Sequence, residues 1–275
     1  EKIFLLLKNI GCKNFFVATL EEGLKIKNKD KKINIYVLNG IQNYDLKKFS
    51  DNHLLPIINT VSELKKIIKS KLEFGIHIDT GINRLGLNNN DLPKNIFNNK
   101  KIKIIISHLA SADDIYNDYN NLQKLKFENI IKKFENKNII FSLANSNGSI
   151  LSNSYLFNMI RPGIGLYGGY NNNIKLKKII KPVIKLCGKI IQIKKINKNE
   201  FVGYNQTFKT RRITKVAIIG AGYEDGIPRI LSNKGNVYYK NEKYKIIGRI
   251  SMDSFTIDIS NSKHKLKVGT YMEII

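Results

Sequence analysis

Short runs of β-branched and aromatic residues alternate with longer amphipathic stretches over the first two-thirds of the chain, the pattern of repeated βα units around a parallel sheet. Strands are expected at 15–18, 33–38, 54–58, 74–78, 102–107, 139–143 and 158–160. Helices are expected at 20–27, at 61–69 and, as the longest, from about 115 to 136, where Leu122, Leu125, Ile130 and Phe134 form an apolar face. A closed (β/α)8 barrel has eight strands. The opening stretch 1–10, ending at Gly11, reads as the helix that follows a strand, so the expectation is a TIM-type barrel lacking its first strand. After about residue 175 the helical period disappears. Segments 182–196, 215–219, 237–240, 245–249 and 255–259 are strand-like, closely spaced and separated by turn residues. The expected organisation is an α/β (β/α)8-type barrel domain over 1–178 and an all-β C-terminal domain over 179–275, with the boundary near Asn171, Asn172 and Asn173. At roughly 150 residues per domain, 275 residues suit two.

Composition agrees with a globular chain: 42% of residues are apolar, with 19 Gly and only 5 Pro. The formal charge of +25 invites a nucleic-acid or membrane-surface reading. Its layout argues against both. Lys is scattered through nearly every block of ten, Asp and Glu stay interleaved, and no run of like charge forms a tail or arm. No apolar run approaches the roughly 18 to 20 residues that span a bilayer. Neither nucleic acid nor membrane is expected as a partner. Cys12 and Cys187 match no metal or redox spacing, so no metal and a reducing, cytoplasmic setting are expected. The first residue is Glu rather than Met, so the expectation is a fragment.

In a barrel, chemistry gathers where the C-terminal ends of strands meet their loops, and phosphate is often held after the last two strands. Those loops are the richest in special residues. The strand at 139–143 runs into Ala144-Asn145-Ser146-Asn147-Gly148-Ser149, and 158–160 runs into Arg161-Pro162-Gly163-Ile164-Gly165-Leu166-Tyr167-Gly168-Gly169. Glycine lets backbone N–H groups approach an anion, and Ser146 adds a hydroxyl. Each loop alone is also readable as a tight turn; two at the customary phosphate position favour a site. Residues 78–86 and 107–113 place further ionisable groups at strand ends. A lone histidine such as His108 is most often a satisfied core residue, but its place among three other polar loops favours function. In the second domain Tyr and Met serve equally well as filler, so spacing there says little.

Arginine usage says more. The chain has six Arg against 41 Lys; Arg84 and Arg161 fall within the rim stretches, Arg229 and Arg249 at two stretches that stand out in the second domain, beginning at Gly222 and Gly248, and only Arg211 and Arg212 fall elsewhere. A planar, permanently charged, bidentate donor is wanted at those places.

At these residues the sequence closely resembles the alanine racemases. The matching stretches are HIDTGINRLG (77–86), SHLASAD (107–113), LANSNGS (143–149), RPGIGLYGG (161–169), VGYNQTF (202–208), GYEDGIPR (222–229) and GRISMD (248–253). They follow the family order and span almost the whole chain. The resemblance implies pyridoxal 5'-phosphate as cofactor and alanine as substrate, interconverted between L and D forms by a two-base mechanism using a tyrosine and a lysine, with D-alanine supplied for peptidoglycan. It implies that Arg161 faces the cofactor's pyridine nitrogen, that Ser146, Gly163 and Ile164 hold the phosphate, and that Asn145 and His108 border the cofactor, His108 linking Arg161 to the catalytic tyrosine. Tyr204 matches that tyrosine. An ordinary phenol loses its proton near pH 10, so a cationic neighbourhood is implied as well. Arg84 and Met252 match substrate-binding positions, and Asp113, Tyr223, Arg229 and Arg249 match the entrance. A homodimer with shared active sites is also implied.

Two departures stand out, truncation at both ends and the residue at position 77. The family's lysine base, which holds the cofactor covalently, lies on the first barrel strand; none of the 41 lysines is assigned to it, Lys2 and Lys8 falling in the helix that follows. The C-terminal end also stops before the family's last phosphate-contacting tyrosine. His77 stands where many members carry a lysine modified by carbon dioxide that steadies the substrate arginine. The alternatives to a racemase are a non-catalytic pyridoxal-phosphate-binding barrel protein, disfavoured by Tyr204 and Met252, and an inactive fragment without the lysine.

Overall fold

The computed structural model describes residues 2–27, 32–43, 45–169 and 179–274, and the chain folds as two units, Glu1–Lys181 and Pro182–Ile275. The expected boundary residues Asn171, Asn172 and Asn173 lie outside the described residues.

In the first unit the elements run α1 (Lys2–Asn9), β1 (Asn14–Val17), α2 (Leu20–Lys27), β2 (Asn34–Val37), α3 (Leu46–Asp51), β3 (Leu55–Ile58), α4 (Val61–Ile68), β4 (Phe74–His77), β5 (Ile102–Ile106), α5 (Tyr119–Ile131) and β6 (Ile140–Ser142). The six strands pair in parallel, in sequence order, as a half-barrel of the TIM type. Successive side chains of a strand point to opposite faces, and both faces here are apolar. Ile105 joins the cluster that includes Leu20, Leu64, Ile67 and Phe127 of the helices. Ile104 and Ile106 join Tyr36 and Ile57 on the other face. Gly75 in β4 is required by this packing, because a Cβ there would stand 2.6 Å from Ile104 Cγ2.

Helix α4 begins with a capping box: Glu63 N–H donates to Thr60 Oγ1, and the Glu63 carboxylate receives the Thr60 N–H. The same carboxylate also accepts from Asn59 N–H at 2.9 Å, Ile41 N–H at 2.8 Å and Gln42 N–H at 3.1 Å. One buried side chain therefore fixes the ends of β2 and β3 together.

Two expectations fail in this unit. Residues 158–160 do not form a strand. Asn158 N–H donates to Phe141 O and Arg161 N–H to Ala144 O, but the Phe141 N–H is taken by Asn158 Oδ1 rather than by a backbone carbonyl, and the ladder is interrupted. The apolar face expected for α5 is buried at Ile130 and Phe134 but not at its two leucines. Leu122 and Leu125 are 51% and 44% exposed, whereas Asn120, Gln123, Phe127 and Ile130 are buried. Buried side-chain amides, not the leucines, set its phase.

The second unit contains β7 (Cys187–Ile196), β8 (Phe201–Val202), β9 (Phe208–Lys209), β10 (Thr214–Gly220), β11 (Asn236–Tyr239), β12 (Glu242–Ile247), β13 (Phe255–Asp258) and β14 (Tyr271–Glu273). Six of them close a barrel in the order β10-β13-β12-β11-β14-β7, and β8 pairs with β9. Ile190, Ala217, Val237, Ile246, Ile257 and Met272 fill its core. The expected strand at 182–196 starts only at Cys187, and β14, too short to show a period, was not expected.

Replacing Glu63 by Gln leaves one oxygen where two served four backbone N–H groups. Glu63→Gln is expected to lower unfolding free energy by about 2 to 4 kcal/mol, against about 1 kcal/mol for Thr60→Ala. Urea unfolding reads both, and equal small losses would contradict the shared anchor.

Candidate active site

The loops at the C-terminal ends of β4 and β5, with the segment from Arg161, border a cavity of about 1280 Å³ whose lining includes Phe16, His77, Arg84, His108, Arg161 and Gly163. Residues far apart in sequence meet there because parallel strands bring every C-terminal end to one rim.

Arg161 is the centre of this rim. Its guanidinium donates to Ser142 O at 2.8 Å, to Ser142 Oγ at 2.5 Å and to Ser107 O, and it sits 5.9 Å from the centre of the Phe16 ring. Burial lowers its pKa to about 10, so it stays cationic at neutral pH. His108 lies beside it. Burial first, then the charges of Arg161 and Arg84, push the His108 pKa down to about 4. Asn145 Oδ1 accepts from Gly148 N–H at 2.8 Å, which turns its Nδ2 toward His108 Nε2 for a long contact of 3.5 Å. His77, buried at the end of β4, is likewise lowered to about 4 by burial, then by Arg161 and His108. Asn59 Nδ2 donates to Leu38 O and Ile57 O, so Asn59 Oδ1 faces His77 Nδ1 at 3.0 Å as an acceptor. The His77 proton is therefore on Nδ1.

The loop carrying Arg84 is held by an Asx turn. Asp79 Oδ1 accepts from Gly81 N–H at 2.8 Å and Asn83 N–H at 3.2 Å. Its return is fixed by Leu87 N–H to His77 O at 2.8 Å and Asp79 N–H to Leu87 O at 2.9 Å. Gly86, at φ +116, passes so close to Asp79 that a Cβ would fall 2.8 Å from the Asp79 nitrogen. Arg84 is exposed at the cavity. On the opposite side the N–H groups of Gly163 and Gly165 both donate to buried Ser146 Oγ, at 2.9 and 3.1 Å. Ile164 opens the short 3-10 turn Ile164–Tyr167 and is exposed. Asp113 stands exposed on the loop after β5 and does not line the cavity.

The five expected residues of the second unit gather at one end of its barrel. Loops 202–208, 222–229 and 248–253 are knitted by backbone contacts: Tyr223 N–H donates to Ser251 O at 3.0 Å and Glu224 N–H to Met252 O at 3.1 Å. A Cβ on Gly203 would stand 2.9 Å from Arg249 N, and one on Gly248 would stand 2.6 Å from Val202 O. Tyr204, 68% exposed, is presented by a turn in which Gly203, Asn205 and Gln206 all have positive φ. Arg229 lies 5.4 Å from the Tyr223 ring centre, and Met252 is half exposed.

Sequence reasoning missed the groups behind the cavity: Asn59, Glu63, Thr80, Ser107 and Gln123. Thr80 and Ser107 lie inside stretches already singled out, at 78–86 and 107–113, and Glu63 ends a Thr-x-x-Glu capping motif; Asn59 and Gln123 left no signal.

The family model for the alanine racemase N-terminal domain matches residues 1–171, and that for the alanine racemase C-terminal domain matches 183–275. The alanine racemase of Rickettsia bellii is 35% identical over 96% of this chain and 67% of its own length. The catabolic alanine racemase of Rhizobium johnstonii is 34% identical over all of this chain and 76% of its own. Among solved structures, the alanine racemase of Bartonella henselae, with covalently bound pyridoxal phosphate, superposes with a TM-score of 0.87 at 34% identity, covering 98% of this chain and 77% of that one. The biosynthetic alanine racemase of Pseudomonas aeruginosa, 23% identical with a TM-score of 0.88 over 100% of this chain and 78% of its own, shares the fold.

Buried His77 and half-buried His108 make acid the weak side of the first unit. An unfolded histidine binds a proton below about pH 6.5, the folded His77 only near 4, so the unfolded state holds more protons between those values and stability drops as the pH falls through that window. Taken alone His77 contributes about 3 kcal/mol above it. The melting temperature is expected to fall from pH 7 to pH 5, with a shallower slope in His77→Asn; an unchanged slope would place the acid sensitivity elsewhere.

Proposed function

The chain belongs to the alanine racemase family, and on that premise we propose that it is a pyridoxal-phosphate-dependent isomerase interconverting L- and D-alanine. The observation that carries the reading is the cavity rim, where Arg161, His108, Arg84 and the Ser146–Gly163 contact converge. Its residues fit the cofactor. Among the described residues, and its chain neighbours apart, no heavy atom lies within 4 Å of the place a Cβ would take on Gly163, which leaves that backbone open to a phosphate. The N–H groups now directed at Ser146 Oγ supply donors of the kind an anion binds.

When bound, pyridoxal phosphate lets negative charge develop at the α-carbon of the substrate. The chain's residues do the rest. Ser146, Gly163 and Ile164 hold the phosphate, with Asn145 and His108 alongside. Arg161 keeps its proton against any ring nitrogen placed beside it, since its pKa remains near 10, and so limits how much charge the ring withdraws. Arg84 binds the alanine carboxylate. The partner subunit's Tyr204 moves the proton on one face of the α-carbon, and the partner subunit's Met252 closes the substrate side, in a homodimer whose entrance is formed by Asp113, Tyr223, Arg229 and Arg249. The second proton carrier is the family's lysine. Two free cysteines accord with a cytoplasmic setting, and supply of D-alanine for peptidoglycan is the corresponding role.

The gene expressed over its full reading frame is expected to convert L- to D-alanine when saturated with pyridoxal phosphate; absence of conversion with the cofactor bound refutes the reading. Tyr204→Phe should cut α-proton exchange in one direction by about 10² to 10⁴ with cofactor affinity nearly unchanged. Ser146→Ala should instead weaken cofactor binding about tenfold, read by fluorescence titration.

A further inference from the structure

Helix α5 carries three buried or half-buried polar side chains at its start, and each is spent on a loop of the cavity rim rather than on the helix. Tyr119 Oη donates to Gly81 O at 2.9 Å. Asn120 Nδ2 donates to Ser111 O at 3.1 Å and Asp114 O at 2.9 Å. Gln123, with no exposed surface, accepts from Ala110 N–H at 2.8 Å through Oε1 and donates through Nε2 to His108 O at 3.0 Å and Thr80 Oγ1 at 3.2 Å. Its amide orientation is fixed, because a backbone N–H only donates and a carbonyl only accepts.

From Gln123 the hydrogen bonds lead on to the guanidinium. Thr80 Oγ1 meets Ser107 Oγ at 2.7 Å, both buried, and Ser107 O receives Arg161. A side-chain amide is costly to bury unless its groups are paired. Here the pairings land on the loop that carries Arg84, at Thr80 and Gly81, and on the loop that carries His108, at His108, Ala110, Ser111 and Asp114. Leu122 and Leu125 remain exposed as a result.

We propose that Gln123 is a positioning residue of the site: it ties the loop after β4 to the loop after β5 and holds the His108 ring against Arg161. This rests on the racemase reading for its meaning, but its test does not. Gln123→Met keeps an unbranched side chain of similar length and leaves Ala110 N–H and His108 O unpaired, and Thr80→Val removes the hydroxyl link alone. The measurement is the His108 titration by NMR in the 275-residue chain, with melting temperature recorded in parallel. The His108 pKa is expected near 4 in the unsubstituted chain, and in Gln123→Met it should rise past about 5 as the ring leaves Arg161 and gains water. Thr80→Val should move it the same way by less, and it decides the matter should Gln123→Met not fold. A lowered melting temperature with an unmoved His108 titration overturns the proposal, leaving Gln123 a merely structural residue. Since neither reading uses turnover, loss of racemisation would count against the function and not against this placement.

Discussion

The guanidinium of Arg161 is the constraint on which the first unit's rim depends. A charge taken out of water is tolerated only when its donors are matched to acceptors, and here the acceptors are the carbonyls of Ser107 and Ser142 together with the Ser142 hydroxyl. Those residues stand at the ends of β5 and β6, so satisfying one side chain fixes the spacing of two strand ends. Phe16 of β1 closes the remaining side. The arginine is thus a fastener for the half-barrel before it is anything else.

Its charge then sets the state of its neighbours. Burial acting first, with the charge of Arg161, keeps both His77 and His108 neutral. Neutral rings cost the unit no further desolvated cation. They also leave ring nitrogens free to accept: Asn59 assigns the His77 proton to Nδ1. With Arg84 exposed at the same cavity, the rim carries fixed positive charge and uncharged acceptors, an environment suited to an anionic ligand.

How far this was legible in the sequence differs between levels. The strands and the helices at 20–27 and 61–69 follow from local period, and the rim loops follow from glycine and arginine placement. The failures share a cause, long-range polar bonds that outweigh local pattern. The apolar face expected for α5 is buried at Ile130 and Phe134, but at its start the pairing of Gln123 and Asn120 with loops far away in sequence turns those amides inward and leaves Leu122 and Leu125 exposed. Residues 158–160 have strand composition, yet one asparagine side chain takes the N–H that the ladder needs. The anchoring of β2 and β3 by Glu63 was invisible because a carboxylate accepting four backbone N–H groups looks, in sequence, like any glutamate in a first helical turn. In the second unit the gathering of Tyr204, Tyr223, Arg249 and Met252 depends on glycines whose missing side chains let backbones touch, and nothing in a residue's type names the strand it will touch.

The contrast between lysine and arginine in this chain now has a geometric reading. Lysines that turn inward serve carbonyls as point donors: Lys101 Nζ reaches Ile68 O and Ser70 O, each at 2.7 Å. Exposed pairs such as Lys103 with Glu73 add little. Neither job needs more than one charged nitrogen. At position 161 two carbonyls and a hydroxyl, on two different strands, are served at once by separate nitrogens of one rigid plane, which a single ammonium on a flexible stem does not reproduce without losing the ring face against Phe16. A sequence that uses Lys wherever a charge alone will do, and Arg where direction matters, marks its directional sites by that choice. The +25 surface is the background against which the mark is visible.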